Sequence, residues 1–122
     1  MKARLYKIFS VLAVFFFCLT TFTAGAAVNL KGGEVLYLQP NSNWTQSNAR
    51  FAANFCNGTS SAKWVDMKKV TGTNDIYSVT VPTGDYKNVI FCRMNPSNKN
   101  NNWTTSNNGG PLWNQTDDLV YD

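Results

Sequence analysis

Between Glu34 and Leu119 the apolar residues recur with a period of two, in short runs, and each run ends near Gly, Pro, Asn or Asp. This pattern constrains the fold more than any other feature. A period of two sends alternate side chains to opposite faces of an extended chain, whereas a helix needs apolar residues three and four apart. Ile76-Tyr-Ser-Val-Thr-Val81 shows it clearly: Ile76, Ser78 and Thr80 oppose Tyr77, Val79 and Val81, and Pro82 stops the run. No stretch of the sequence carries a helical period of useful length.

The same reading predicts strands over 34–38, 50–56, 63–67, 76–81, 87–94 and 118–121. In the second, Phe51, Ala53 and Phe55 share one face while Ala52, Asn54 and Cys56 share the other. In the third, Trp64 and Asp66 oppose Val65 and Met67. The fifth is apolar on both faces through Val89, Ile90, Phe91 and Cys92, as a central strand is. Gln39-Pro-Asn-Ser-Asn43 reads as a turn and Trp44 as a loop residue. Short strands at close spacing with such turns predict an all-β antiparallel sandwich or small barrel.

The N-terminus obeys different rules. Lys2, Arg4 and Lys7 precede an apolar run over 8–22, and Ala24-Gly-Ala26 follows it. This reads as a secretory signal peptide over 1–26, cut after Ala26. A retained signal anchor is the rival, but the run is short for a membrane span. Cys18 follows Phe17 rather than a small residue, which disfavours a lipid-modified cysteine. Residues 27–122 are then one secreted domain, with no membrane attachment.

Removing the leader changes the charge argument. The full chain carries a net +4, but three of its eleven basic residues lie in the leader, which leaves eight against seven acidic ones. A nucleic-acid partner loses its electrostatic support. Secretion also permits a disulfide between Cys56 and Cys92, and two buried free thiols are the equal alternative. Asn43, Asn57, Asn102 and Asn114 each begin an Asn-x-Thr sequon; an Asn-rich chain also produces these by chance.

The chemistry concentrates in the last third. Asn88 to Trp103 begins as a strand and opens into a long loop of Asn, Ser and Lys that carries Trp103; Trp113 follows in 113–119. An indole face stacks on the C–H face of a pyranose, and side-chain amides both donate to and accept from hydroxyls. Trp44 and Trp64 are explained equally well by burial in a small core. A Trp in a polar loop is harder to bury, and leaves apolar surface in water unless something covers it.

Enzyme chemistry finds little support. The chain has no His, and most of the carboxylates sit at turns, where Asp caps backbone. A glycoside hydrolase needs two carboxylates facing across a cleft. No nucleophile motif, phosphate loop or metal-ligand cluster stands out, and no cofactor is expected.

Taken in series, 35–44, 49–55, 63–67, 76–82, Asn88-Val-Ile-Phe91 and Trp113-Asn-Gln-Thr-Asp-Asp-Leu119 resemble the family 26 starch-binding carbohydrate-binding modules. The resemblance covers nearly all of residues 27–122. It implies an immunoglobulin-like β-sandwich that binds α-glucan without catalysis, with Trp64 in the aromatic platform and Gln115 and Thr116 on its polar rim. It also implies that Ala52, Asn54 and Cys56 stand on the solvent side of the second strand, where members of the family commonly carry aromatics. The expected site is therefore Trp64 under one glucose, Asn54, Asn102 and Gln115 on hydroxyls, and Trp103 or Trp113 as a second face. The competing expectation is a secreted interaction domain whose Trp-bearing loop meets another protein. The oligomeric state is left open.

Overall fold

The computed structural model describes residues 3–6, 29–58, 60–117 and 119–120. The expectation of a signal peptide falls on residues mostly outside this set. Within it, the backbone of β1 (Ala3–Tyr6) pairs antiparallel with β3 (Val35–Pro40).

The chain is a small all-β fold of antiparallel sheets. The larger has the order β10–β9–β4–β5, with β4 at Arg50–Asn57, β5 at Ser60–Asp66, β9 at Asn88–Met94 and β10 at Leu112–Gln115. The pair β11 (Leu119–Val120) also joins β9. The second has the order β1–β3–β7–β6, with β7 at Tyr77–Thr80 and β6 at Lys68–Lys69. A two-stranded pair, β2 (Leu30–Lys31) with β8 (Asp85–Tyr86), completes it.

The core follows the predicted alternation. Phe51, Ala53 and Phe55 of β4 and Val89 and Phe91 of β9 pack against Leu36 and Leu38 of β3. Aromatic rings lock this layer: Trp44 stacks on Phe51 at 6.2 Å, and Tyr77 meets Phe51 tilted by 59° at 4.5 Å. Such pairs add to the area they bury.

Two local readings are corrected. Trp44 is not a loop residue. Asn41 accepts from the Trp44 N–H at 3.1 Å and caps a one-turn helix, Ser42–Thr45, that turns the indole into the core. One turn is too short to leave a period in the sequence. Pro40 does not stop short of the ladder either; it is the last residue of β3.

The opposite face of the larger sheet is also buried. Ala52, Cys56, Ile90, Cys92, Met94 and Leu112 form a second apolar layer, with Trp64 packed against it. The expectation that Ala52, Asn54 and Cys56 face solvent is thus wrong: their exposures are 0%, 1% and 5%. Alternation sets which face a side chain takes, but not whether that face is wet.

The same ladder rules out the disulfide. Cys92 pairs across from Ala52, and Cys56 across from Asn88, four residues further along. That is about 13 Å of strand, against a bridging limit of about 7 Å between Cα atoms. Both cysteines are free and buried. Burial alone pushes the Cys92 thiol up to about 12, from 9.0. A thiol whose pKa is raised by folding stabilises the fold fully below the unfolded value, and that contribution is lost as pH rises through the folded one. Native protein is therefore expected to resist a thiol reagent at neutral pH and to react at two cysteines once unfolded. It should lose stability progressively between pH 9 and about 12. Rapid labelling of Cys92 in folded protein would contradict this placement.

Candidate functional site

The site is built from three adjacent rows on the second face of the larger sheet. Arg50 lies opposite Met94, Ala52 lies between Cys92 and Asp66, and Asn54 lies between Ile90 and Trp64. Residues directly opposite in an antiparallel pair share a face. Asn54, Trp64, Asp66 and Arg50 therefore emerge together, although they are read from two strands.

Arg50 turns this face into a site. Its guanidinium donates to the carbonyls of Asn95, at 3.2 Å, of Asn98, at 2.9 Å, and of Asn100. It also donates to Asn101 Oδ1 at 2.7 Å and to Asp66 Oδ1 at 3.3 Å. The loop after β9 is thus wrapped around one cation. Partial burial lowers the Arg50 pKa from its ordinary value, and the Asp66 charge offsets part of that.

Side-chain amides shape the same loop from within. Asn95 Oδ1 accepts from Ser97 N–H, Asn98 Oδ1 from Asn100 N–H and Asn102 Oδ1 from Thr104 N–H, at 2.9, 3.0 and 2.9 Å. These are Asx turns, in which Asn replaces a backbone acceptor. At the far end the Gly110 backbone lies so close to Thr104 that a Cβ would come within 2.0 Å of its carbonyl oxygen. Only glycine permits that approach.

The loop then runs along β5. Asn101 Nδ2 donates to Asp66 Oδ1 at 2.8 Å, and Trp103 meets Trp64 with centroids 4.6 Å apart and planes tilted by 56°. Residues two apart on the loop meet residues two apart on the strand. Trp103 is 43% exposed and is the one large hydrophobic side chain standing exposed among the described residues. Trp64 beside it is half-buried.

The other expected residues are placed differently. Asn54 is beneath this pair, buried, and its Nδ2 has no hydrogen-bond partner among the described residues. Asn102 is exposed beside Trp103, with its Oδ1 occupied by the turn. Gln115 is exposed and opposite Cys92 on β10. It is on the same face as Trp64 but three strand spacings of about 4.8 Å away. Thr116 extends the ladder: its N–H donates to Phe91 O at 2.9 Å, and its hydroxyl accepts from Phe91 N–H at 3.1 Å.

Trp113 is not in the loop where the sequence placed it. It sits on β10 at a register shift between Leu112 and Asn114, and packs against the main core. Arg93 covers it, 4.5 Å from its ring, while donating to the carbonyls of Trp44 and Gln46 at 2.7 Å each. It is not brought to the Trp64–Trp103 pair.

An unpaired buried donor costs about 1–3 kcal/mol. Asn54→Val, which removes it at similar volume on a strand, is expected to raise stability by about 1–2 kcal/mol. The rise would appear as several degrees in a thermal melt, together with weaker retention on the ligand proposed below. A lower melting temperature would show that Asn54 is satisfied.

Among the described residues no group of three His, Cys, Asp or Glu side chains could hold a metal ion. No helix among them is long and apolar enough to cross a membrane. No protein-family model, no curated protein and no solved structure matches this chain.

Proposed function

We propose that the domain is a secreted, non-catalytic carbohydrate-binding module, and that its ligand is starch or another α-glucan. The observation that carries this reading is the Trp64–Trp103 pair, half-buried on one side and exposed on the other, at the edge of a loop made of amides. An indole that stays in water is compensated when an apolar sugar face covers it.

The tilt favours the class of glycan. Two rings inclined by 56° cannot both lie flat against one straight ribbon, as a β-1,4-linked chain would require. An α-1,4-linked chain curves, so that successive sugars turn their faces and meet inclined planes. The resemblance to starch-binding modules points the same way, with Trp64 in the platform. The platform here is carried by β5 and the loop rather than by β4, whose Ala52, Asn54 and Cys56 form its buried floor.

Binding at such a shallow, hydrated surface is expected to be weak per site, because each sugar exchanges water for protein contacts. The test is retention of the purified chain on insoluble starch, with cellulose and chitin as controls. Starch-selective retention that maltooligosaccharides compete away supports the reading. Equal retention on cellulose removes the α-glucan assignment, and no retention on any of them removes the carbohydrate assignment.

The exposure of Trp103 also favours a second reading, a protein partner, because exposed Trp is a frequent interface anchor. A stable dimer or complex that maltooligosaccharides leave unchanged would favour it.

A further inference from the structure

We infer that Asp66 is a specificity-determining residue of this site, and that its Oδ2 accepts a ring hydroxyl from the sugar stacked on Trp64. The inference rests on the carbohydrate reading above and deepens it.

The argument starts from which oxygen is used. Both hydrogen bonds to the carboxylate, from Asn101 Nδ2 at 2.8 Å and from Arg50 at 3.3 Å, end on Oδ1. No donor among the described residues is given to Oδ2, and the side chain is 65% exposed. The carboxylate is thus held by one oxygen and open at the other. An anchored acceptor loses less freedom on binding than a mobile one, so more of its hydrogen bond is realised as affinity.

Its position matches the ring. Asp66 and Trp64 are two apart on β5 and share a face, which separates them by about 6.6 Å along the strand. One pyranose spans that distance, with its C–H face on the indole and an edge hydroxyl at the carboxylate. Hydrogen bonds from a hydroxyl to an ionised carboxylate are short and about twice as strong as neutral ones. Stacking on Trp64 does not distinguish one hexose from another, since it reads a C–H face. An acceptor fixed at one point of the ring edge does, because the hydroxyl must be present and must point there.

The sequence contained part of this signal. The alternation put Trp64 and Asp66 on one face, but a single Asp at a strand end reads as solvated charge. What distinguishes it is that Arg50 and Asn101, remote in sequence, claim the same oxygen.

Asp66→Asn is the direct test, because asparagine keeps Oδ1 for Arg50 and Asn101 and exchanges Oδ2 for an amide donor. Affinity for maltohexaose, titrated by calorimetry, is expected to fall at least tenfold, with the near-UV circular dichroism of the Trp64–Trp103 pair unchanged. A second measurement needs no mutant. Among maltosides lacking one hydroxyl each, one deoxy position should bind wild-type protein at least tenfold more weakly. That same analogue should cost Asp66→Asn no further affinity. Wild-type affinity in Asp66→Asn, or no single deoxy position standing out, overturns the inference. If Trp64 is needed for binding while Asp66→Asn behaves as wild type, Asp66 alone is refuted. If wild-type protein binds no maltooligosaccharide, the carbohydrate reading and this inference fall together.

Discussion

Trp64→Ala is expected to abolish retention on insoluble starch while the domain stays folded. Trp64 is half-buried on β5, the edge strand of its sheet, so truncation removes part of one side of a pair rather than the centre of the core. Losing that partial burial costs about 1–2 kcal/mol, which a domain of ordinary stability survives. The binding loss is larger in proportion. Truncating an aromatic anchor typically costs about 2 kcal/mol or more, equivalent to about 30-fold in affinity, and a weak site falls below detection with that loss. Trp103→Ala should weaken binding similarly and cost less stability, because Trp103 is more exposed. The measurement pairs starch retention with a thermal melt for each variant. Unchanged retention in folded Trp64→Ala would end the platform assignment. Its unfolding would leave Trp103→Ala to decide.

Arg50→Met is expected to release the loop that carries Trp103. The side chain serves three backbone carbonyls, the Asn101 amide oxygen and the Asp66 carboxylate. Methionine fills much of the same volume but offers no donor. Hydrogen bonds to a charged group contribute about 1.5–3 kcal/mol each in isolation, but partly exposed carbonyls regain water when the cation leaves. A net loss of about 2–4 kcal/mol follows, which lowers the melting temperature of a domain this size by about 10–20 °C. Near-UV circular dichroism should lose the Trp64–Trp103 signal, and glucan affinity should fall with it. Arg50→Lys should recover little of this, because an ammonium cannot reach so many acceptors set around a planar fork. Full recovery by lysine would reduce the role of Arg50 to bulk charge.

The division of labour at this site is physical. Stacking on Trp64 and Trp103 supplies affinity without direction, and Asp66 supplies direction. Arg50 spends no contact on the sugar; it holds the loop in the one arrangement where the other three meet. The salt bridge between Arg50 and Asp66 is not by itself a source of stability, because Asp66 is largely exposed and such pairs contribute little. Its effect is to orient the carboxylate.

How much of this was legible depended on the range of the interaction. The strands of β4, β5, β7 and β9 were visible, and their faces with them, because alternation is a property of neighbouring residues. Phe51, Ala53 and Phe55 fell on the core side as read, and Trp64 and Asp66 fell together on the other. The helix at Trp44 was not visible, since one capped turn has no period. The short pairs β2–β8 and β6–β7 carry too few residues to show alternation. Trp113 looked like its neighbour Trp103 because both are flanked by Asn. A register shift and the Arg93 guanidinium bury the first against the core, and neither is written in local sequence.

The amino-acid order by itself therefore determined that the chain is all-β, which residues share each face, and that Trp and Asn are concentrated in the last third. Those follow from backbone geometry acting over two to eight residues. Only the tertiary structure decided that the second face is buried, that Cys56 and Cys92 stand too far apart to bond, and that Trp103 rather than Trp113 joins Trp64. Each of these rests on strand register and on one guanidinium gathering acceptors from a loop at the far end of another strand. No residue's neighbours in sequence contain that information, because the chain must close before those groups meet.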